Sequence, residues 1–154
     1  MSAGGQVFTK VVSGGQTGVD RAALDVALEL GLPCGGWCPR GRRAEDGLLA
    51  ARYPLTETPW SGYPQRTAWN VRDSDGTLVL TSGRPDRGTA LTVELAARQR
   101  RPCLVVDLGA PDVEAVRAWA RDNGVGTLNV AGPRESSAPG VYARAAEFLR
   151  RLLA

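Results

Sequence analysis

The sequence predicts an α/β fold in which a doubly wound, mostly parallel sheet of five strands is flanked by helices in the Rossmann-like manner. Strand-like and helix-like segments alternate along the 154 residues, and three glycine-bearing turns follow predicted strands. This alternation is typical of βαβ units around a parallel sheet. No linker or low-complexity tract divides the chain, and its length is close to that of one domain. We therefore expect a single Rossmann-like domain over residues 1–154.

Each element has its own signal. Residues rich in β-branched and apolar types, bounded by turn residues, predict strands over 7–13, 33–38, 77–81, 103–107 and 127–130. Apolar residues at helical spacing predict helices over 17–30, 89–99, 112–122 and 141–153. Gly31 is expected to end the first helix, and Asp112 to cap the third.

The segment 39–66 is the least regular part of the chain, with arginines, prolines and one short helix predicted over 44–52. A loop of this length inside a compact domain is unusual and is often functional. The next segment, 66–75, leads into the third strand. We interpret Asp73 and Asp75 as structural there and leave the roles of Arg66 and Asn70 open.

Composition excludes several kinds of chemistry. The chain has no histidine, which excludes Ser-His-Asp and Cys-His catalysis and His-ligated zinc. We interpret Cys34 and Cys38 as inert thiols, because a structural zinc site takes four ligands, and we predict no metal site. The absence of a secretory signal and of a long apolar run predicts a cytoplasmic protein without membrane contact.

The turn Ser-Gly-Gly-Gln-Thr-Gly at residues 13–18 is the most informative motif. Glycines let the backbone approach a ligand, and the following helix directs free N–H groups and its positive dipole end at the crevice. Thr17 can cap this helix or donate its hydroxyl to a phosphate. The motif lacks the GxGxxG fingerprint and the lysine of a P-loop. The alternative is a tight turn whose glycines only relieve backbone strain.

Charged residues near the same edge extend the candidate site. Arg40 and Arg43 lie in a run that follows the second strand, so their guanidinium groups can neutralise a phosphate. The alternative is a solvated charged loop. Arg21 lies in the first turn of a helix, where the dipole disfavours it, and this favours a ligand-facing or pairing role. Two further turns, 82–89 and 131–136, are expected at the same edge.

Four motifs in order resemble one known family. The segments 13–25, 35–47, 70–75 and 129–136 are similar to the putative molybdenum carrier family, and the likeness covers nearly the whole chain. This family is a branch of the Rossmann-like superfamily that includes the lysine-decarboxylase-like, cytokinin-activating proteins and the DNA-processing protein DprA. The resemblance implies self-association as a dimer or tetramer, and a molybdopterin-like or nucleotide-like ligand at the strand ends. It places in the site Gly14, Gly15, Thr17, Gly18, Arg40, Arg43, Gly132, Arg134 and Glu135.

One departure bears on activity. The cytokinin-activating branch has a Pro-Gly-Gly-x-Gly-Thr loop with a nearby catalytic glutamate. The corresponding turn here contains Gly88 and Thr89 at its end, and Glu94 lies further along the helix. This difference weakens any transfer of phosphoribohydrolase activity.

Three functions stay open from the sequence. The leading hypothesis is a non-enzymatic binding protein, a carrier or sensor of the molybdenum cofactor or a related phosphorylated nucleotide. The second is an N-glycosidic hydrolase that uses Glu135, Glu45 or Glu94. The third is a single-stranded DNA-binding module, which a net charge of only +3 disfavours. The residues expected to hold the ligand are Gly14, Gly15, Gln16, Thr17, Gly18, Arg21, Arg40, Arg43, Gly88, Thr89, Gly132, Arg134 and Glu135.

Overall fold

A parallel sheet of five strands forms the centre of the molecule, in a computed structural model that describes residues 7–83 and 86–154. The strands, in chain order, are β1 (Lys10–Val12), β2 (Cys34–Gly35), β3 (Trp37–Cys38), β4 (Arg43–Ala44), β5 (Gly47–Leu48), β6 (Thr56–Glu57), β7 (Gly76–Thr81), β8 (Cys103–Asp107) and β9 (Thr127–Ala131). The helices are α1 (Val19–Leu30), α2 (Tyr63–Arg72), α3 (Arg87–Arg98), α4 (Val113–Asn123) and α5 (Val141–Leu153). The central sheet has the order β2-β1-β9-β7-β8, which confirms the predicted Rossmann-like α/β class.

Helices cover both faces of this sheet. The pair α1 and α5 pack together, with α4 against α5, while α2 and α3 pack together. All six residues of β7 are buried, as expected of a strand that is covered on both faces. The main core joins its Leu78 and Leu80 to the apolar faces of α1 and α5, for example Val26 and Leu149.

Several predicted boundaries are confirmed by the capping groups. Gly31 ends α1 in the left-handed conformation, at φ 74°. The carboxylate of Asp112 accepts a hydrogen bond from the backbone N–H of Ala115, 3.0 Å away, at the start of α4. Helix α3 begins two residues earlier than predicted because Asp86 caps it and accepts from the N–H of Thr89 at 2.8 Å.

The predicted second strand over 33–38 is divided in two. Gly36 has a φ of +127°, and a Cβ atom there would lie 2.3 Å from the carbonyl oxygen of Ser13. The chain therefore leaves the central sheet after β2, and β3 pairs in parallel with β6 in a separate two-stranded sheet.

The predicted helix over 44–52 is wrong. The chain forms an antiparallel hairpin of β4 and β5, followed by a loop whose Leu49, Tyr53 and Leu55 pack with Leu24 in a second core cluster. Gly47 has a φ of +115°, which is incompatible with a continuous helix. Tertiary contacts of the hairpin, described below, override the local helical tendency.

Helix α2 was not predicted, since the segment 66–75 was interpreted as a lead into the third strand. Pro64 at its first turn is a favoured helix start, and only Asn70 and Val71 of its residues are buried. The helix brings Arg66 and Asn70 back toward the carboxyl ends of the strands. In the described ranges, no helix is long and apolar enough to span a bilayer.

Candidate functional site

The predicted convergence of the turns at one edge of the sheet is confirmed. The N–H of Val19 donates to the carbonyl of Pro133 at 3.2 Å, and the N–H of Glu135 donates to the hydroxyl of Thr17 at 3.1 Å. A Cβ atom at Gly18 would lie 2.3 Å from the Pro133 carbonyl oxygen. Glycine is therefore required where the two turns touch.

A first cavity of about 180 Å³ opens at the carboxyl ends of β1, β7 and β9. Its walls come from the turn after β1, the first two turns of α2, the start of α3 and the turn after β9. The lining residues are Gly14, Gln16, Asp20, Tyr63, Pro64, Arg66, Thr67, Asn70, Asp86, Gly88, Leu91, Thr92, Asn129, Val130, Ala131, Gly132 and Arg134.

Arg66 supplies the buried cation of this cavity. Its Nη1 donates to Oδ2 of Asp20 at 2.9 Å, and the two side chains are 13% and 6% exposed. Gly14 leaves the space for the guanidinium group, since a Cβ atom at that position would lie 1.6 Å from Nη1. Burial raises the pKa of Asp20, and the nearby charge of Arg66 opposes that rise.

In the described ranges, two buried side-chain atoms have no hydrogen-bond partner, and one of them belongs to a residue that lines this cavity. One is Nε of Arg66, a lining residue. The other is Oγ1 of Thr89, which lies next to the lining residue Gly88 at the start of α3. Buried polar groups are nearly always hydrogen-bonded, so unpaired ones at a cavity indicate a place for a ligand or for water.

The backbone amides of the first turn are mostly occupied by groups of the protein itself. The N–H of Thr17 donates to Oε1 of Gln16 at 3.0 Å, and those of Gly15 and Gln16 donate to Ser13 and Asp20 at 3.4 Å. The expected amide cradle for a phosphate is therefore largely satisfied internally. Among the described residues, Arg66 and Arg134 are the cationic ones that line the cavity.

The arginines expected in the site are distributed more widely than the sequence suggested. Arg134 lines the first cavity and is exposed at its rim. Arg40 lines a separate groove near Trp60. Arg43 is an exposed residue of β4 and lines neither that groove nor the cavities at the strand ends. Arg21 is engaged by Asp46, to which it donates two hydrogen bonds of 3.0 and 3.1 Å. Its role in the structure is pairing.

A second cavity of about 680 Å³ is lined by five other predicted residues, Thr17, Gly18, Arg21, Glu45 and Glu135. Gln16 belongs to the first cavity, whereas Thr17 and Gly18 line the second, so the loop 14–18 forms a wall between them. The second cavity is lined by Thr17, Gly18, Arg21, Asp25, Glu45, Asp46, Arg52, Tyr53, Glu135, Ser136 and Tyr142. The site predicted as one unit is thus divided between two cavities and the groove at Arg40, and Gly15, Arg43, Thr89 and Glu94 line none of them.

Glu45 holds the hairpin of β4 and β5 to this wall. Its carboxylate accepts hydrogen bonds from the hydroxyls of Thr17 and Ser136, and from the Ser136 N–H at 3.1 Å. Its backbone N–H donates to Oε1 of Gln16 at 2.8 Å. The hydrogen bonds from Ser136 and Thr17 lower the pKa of Glu45.

Asp25 organises the far end of the second cavity. The phenol of Tyr53 donates to its Oδ1 at 2.6 Å, and that of Tyr142 donates to its Oδ2 at 2.5 Å. Burial and the hydrogen bond to Asp25 raise the pKa of each tyrosine to about 12. Both phenols therefore stay protonated near neutral pH and act as donors.

The three glutamates considered as catalytic groups lie outside the first cavity. Glu135 caps α5, accepting from the N–H groups of Gly140 and Tyr142 at 2.7 and 2.9 Å. Glu94 is on the surface of α3 in an ion pair with Arg98. Glu45 is the hairpin tether. Each carboxylate has a structural partner, and none is positioned beside Arg66.

Other side chains singled out in the sequence have structural contacts. Asn70 pairs with both backbone groups of Trp37, at 2.8 and 3.0 Å. Asp75 accepts from the N–H groups of Gly126 and Thr127. Cys34, Cys38 and Cys103 are free thiols, and burial raises the pKa of each. Within residues 7–83 and 86–154, no group of three possible metal ligands comes together.

Two lining residues of the first cavity are Arg66, whose role the sequence left open, and Asp86, which was not among the predicted site residues. The sequence signal for Arg66 is the start of α2 at Gly62-Tyr63-Pro64, with proline in the first turn. A helix that begins there brings Arg66 to the strand ends. Asp86 precedes a helix and has the residue type of an N-cap, so its position was recoverable from the sequence.

Comparison with known proteins agrees with this architecture. A crystal structure from Syntrophus aciditrophicus SB, named "Putative molybdenum carrier protein", is 42% identical, covers 97% of each chain and superposes with a TM-score of 0.93. No curated protein matches the sequence significantly. Residues 11–153 match the family described as circularly permutated YpsA SLOG. The chain belongs to the circularly permutated YpsA SLOG family.

Proposed function

We propose that this protein binds a small phosphorylated ligand of the molybdopterin or nucleotide type, with the phosphate in the first cavity, and acts as a carrier or sensor. The observation that carries the proposal is the unpartnered buried Nε of Arg66, a residue that lines a cavity whose rim holds Arg134. An unmade buried hydrogen bond costs about 1–3 kcal/mol, and a ligand that supplies acceptors recovers this cost.

The position of the cavity supports the same function. Ligands of open α/β sheets bind outside the carboxyl ends of the strands, and the N-terminus of α3, whose dipole favours an anion, lies at this cavity. Gly88 leaves the backbone at the start of α3 open to close approach, since a Cβ atom there would contact only Oδ1 of Asp86, at 3.6 Å. Guanidinium groups are suited to phosphate because they offer two parallel donors.

The name of the Syntrophus aciditrophicus relative supports molybdenum carriage as the biological context. The molybdenum cofactor would be the cargo here, and the residues of the first cavity fit its phosphate end. The unpaired Nε of Arg66 is the donor that this fit rests on. A binding role without turnover is consistent with the engagement of Glu45, Glu94 and Glu135 in structural contacts.

The decisive experiment compares two exposed arginines. We expect Arg134→Ala to weaken binding of GMP about 10- to 100-fold in isothermal titration calorimetry, because a hydrogen bond to a charged group contributes about 1.5–3 kcal/mol. Arg121→Ala is the matched control. Arg121 is exposed in the last turn of α4, at the opposite edge of the sheet, and carries the same charge.

A GMP affinity of Arg134→Ala equal to that of Arg121→Ala would contradict the proposal. Mass spectrometry of small molecules that copurify with the wild-type protein, together with elemental analysis for molybdenum, would then identify the natural ligand.

A further inference from the structure

A third opening adjoins the first cavity and is built around an exposed indole. Trp60 is 71% exposed, an unusual state for a large aromatic side chain. It lines a groove of about 570 Å³ together with Arg40, Gly41, Pro59, Ser61 and Gly62. Nothing in the fold accounts for leaving this ring in water.

The backbone beneath Trp60 is fixed. Its N–H donates to Oε1 of Gln65 at 3.0 Å, and its carbonyl accepts from the N–H of Arg40 at 3.0 Å and from the hydroxyl of Thr58 at 2.9 Å. Three hydrogen bonds hold the backbone of Trp60, and so the point from which the indole extends, at a defined place, which lowers the cost of ordering a binding surface.

The walls of the groove and of the first cavity meet at the start of α2. Gly62 lines the groove and caps this helix, and Tyr63, the next residue, lines the first cavity. Cζ of Arg66 lies 5.3 Å from the centroid of the Tyr63 ring. A path along the protein surface therefore runs from the buried guanidinium group, over Tyr63, to Trp60.

The size of the first cavity requires such an extension. Its volume of about 180 Å³ is below the roughly 300–1,000 Å³ of sites that enclose a small-molecule ligand. A phosphate and the group attached to it fill this space, and the remainder of a nucleotide-sized ligand must lie outside.

The charge of the groove selects among possible occupants. The side chain of Arg40 forms no hydrogen bond or ion pair with any residue in the described part of the chain. The nearby carboxylate of Glu57 is engaged by the N–H of Gly41 at 2.7 Å. An indole face beside a free guanidinium group suits a planar heterocycle with carbonyl oxygens on its edge.

We propose that Trp60 and Arg40 form a ring subsite, in which the planar heterocycle of the ligand stacks on the indole while its phosphate lies in the first cavity. This inference rests on the proposed function and specifies the ligand class, a phosphorylated heterocycle such as a purine or a pterin. Stacking on Trp60 contributes affinity that a phosphate without a ring does not gain.

The test uses two probes that differ in the ring. GMP carries a phosphate, a ribose and a planar purine base, whereas ribose 5-phosphate carries the phosphate and the ribose without a base. We expect Trp60→Ala to weaken GMP binding about 10-fold or more and to leave ribose 5-phosphate binding unchanged. Trp60→Phe keeps an aromatic face and should retain most of the GMP affinity. Leu48→Ala is the control, because Leu48 is 73% exposed and lines none of the three cavities.

The outcomes separate the two proposals. If Trp60→Ala binds GMP as Leu48→Ala does, or loses both probes by the same factor, the ring subsite is refuted while the phosphate site stands. Selective binding of a proline-rich peptide by the groove, with GMP affinity unaffected, would also refute it. If wild-type protein binds neither probe, the proposed function fails, and the ring subsite fails with it.

Discussion

The guanidinium group of Arg66 occupies the space that a side chain at position 14 would need, so Gly14 must be glycine. We expect Gly14→Ala to displace the guanidinium group from Asp20, since the added methyl group would coincide with Nη1. Breaking a buried ion pair leaves an uncompensated charge, so the free energy of unfolding should fall by about 3 kcal/mol in urea titrations.

The control for this change is Gly62→Ala. At Gly62 a Cβ atom would contact only Cδ of Pro64, at an ordinary 3.7 Å, and the backbone φ of −78° is accessible to alanine. Equal stabilities of the two variants would show that Arg66 can leave its position without cost, contrary to our description of the first cavity.

Individual site residues were predictable from the sequence only where they directly follow a strand, because the parallel topology then fixes the edge of the sheet at which they lie. Gly18 and Gly132 follow strands of a parallel sheet, and parallel strands end at a common edge. Arg66 depends on a helix with a weak signal, and Glu45 depends on partners 28 and 91 residues away. A single sequence contains no pattern that reports such pairings.

The hairpin of β4 and β5 is held in place by charged side chains at its turn. We expect Glu45→Ala to lower the free energy of unfolding by about 1 kcal/mol near neutral pH, a modest value because Glu45 is exposed. The pKa of Glu45 is lowered in the folded state, so its contribution is present above the unfolded value of 4.5 and is lost as the pH falls through the folded pKa.

Urea unfolding of wild type and variant from about pH 7 to about pH 3 measures this difference. The difference in the free energy of unfolding between wild type and variant should become smaller toward the acidic end. Glu94→Ala serves as the reference, since Glu94 is an exposed carboxylate in a helical i,i+4 ion pair with Arg98. A gap that persists unchanged at low pH would exclude the carboxylate of Glu45 as the tether.

Elements with strong local signals were predicted well, and those held by distant contacts were not. Strand β8 and helix α5 match their predicted bounds, because a β-rich run and a long apolar period define them. Strands β4 and β5 have two residues each and depend on the tether at Glu45 and the ion pair between Arg21 and Asp46. Helix α2 buries only two residues, so its amphipathic pattern is weak.

The charge distribution of the whole molecule bears on nucleic acid as an alternative ligand. The 19 basic residues are accompanied by 16 acidic ones, and several arginines are engaged in ion pairs, such as those of Arg21 and Arg66. We expect any affinity for a single-stranded oligonucleotide to disappear at about 0.15 M salt, whereas GMP binding persists.

Fluorescence anisotropy of a labelled oligonucleotide, measured over a range of salt concentrations, tests this expectation. Tight oligonucleotide binding at physiological salt, with a steep salt dependence, would favour a DNA-binding role over the small-ligand role. The Arg121→Ala variant then locates the contact, because it changes the charge at the edge of the sheet opposite the first cavity.

Gln16 connects the first cavity to the hairpin of β4 and β5. Gln16 lines the first cavity, and its side-chain oxygen also accepts a hydrogen bond from the N–H of Glu45. The first cavity and the hairpin of β4 and β5 therefore share one amide group. Under the proposed function, a ligand that displaced the Gln16 side chain would also break its hydrogen bond to the backbone of Glu45, so that binding at the first cavity would loosen the hairpin of β4 and β5.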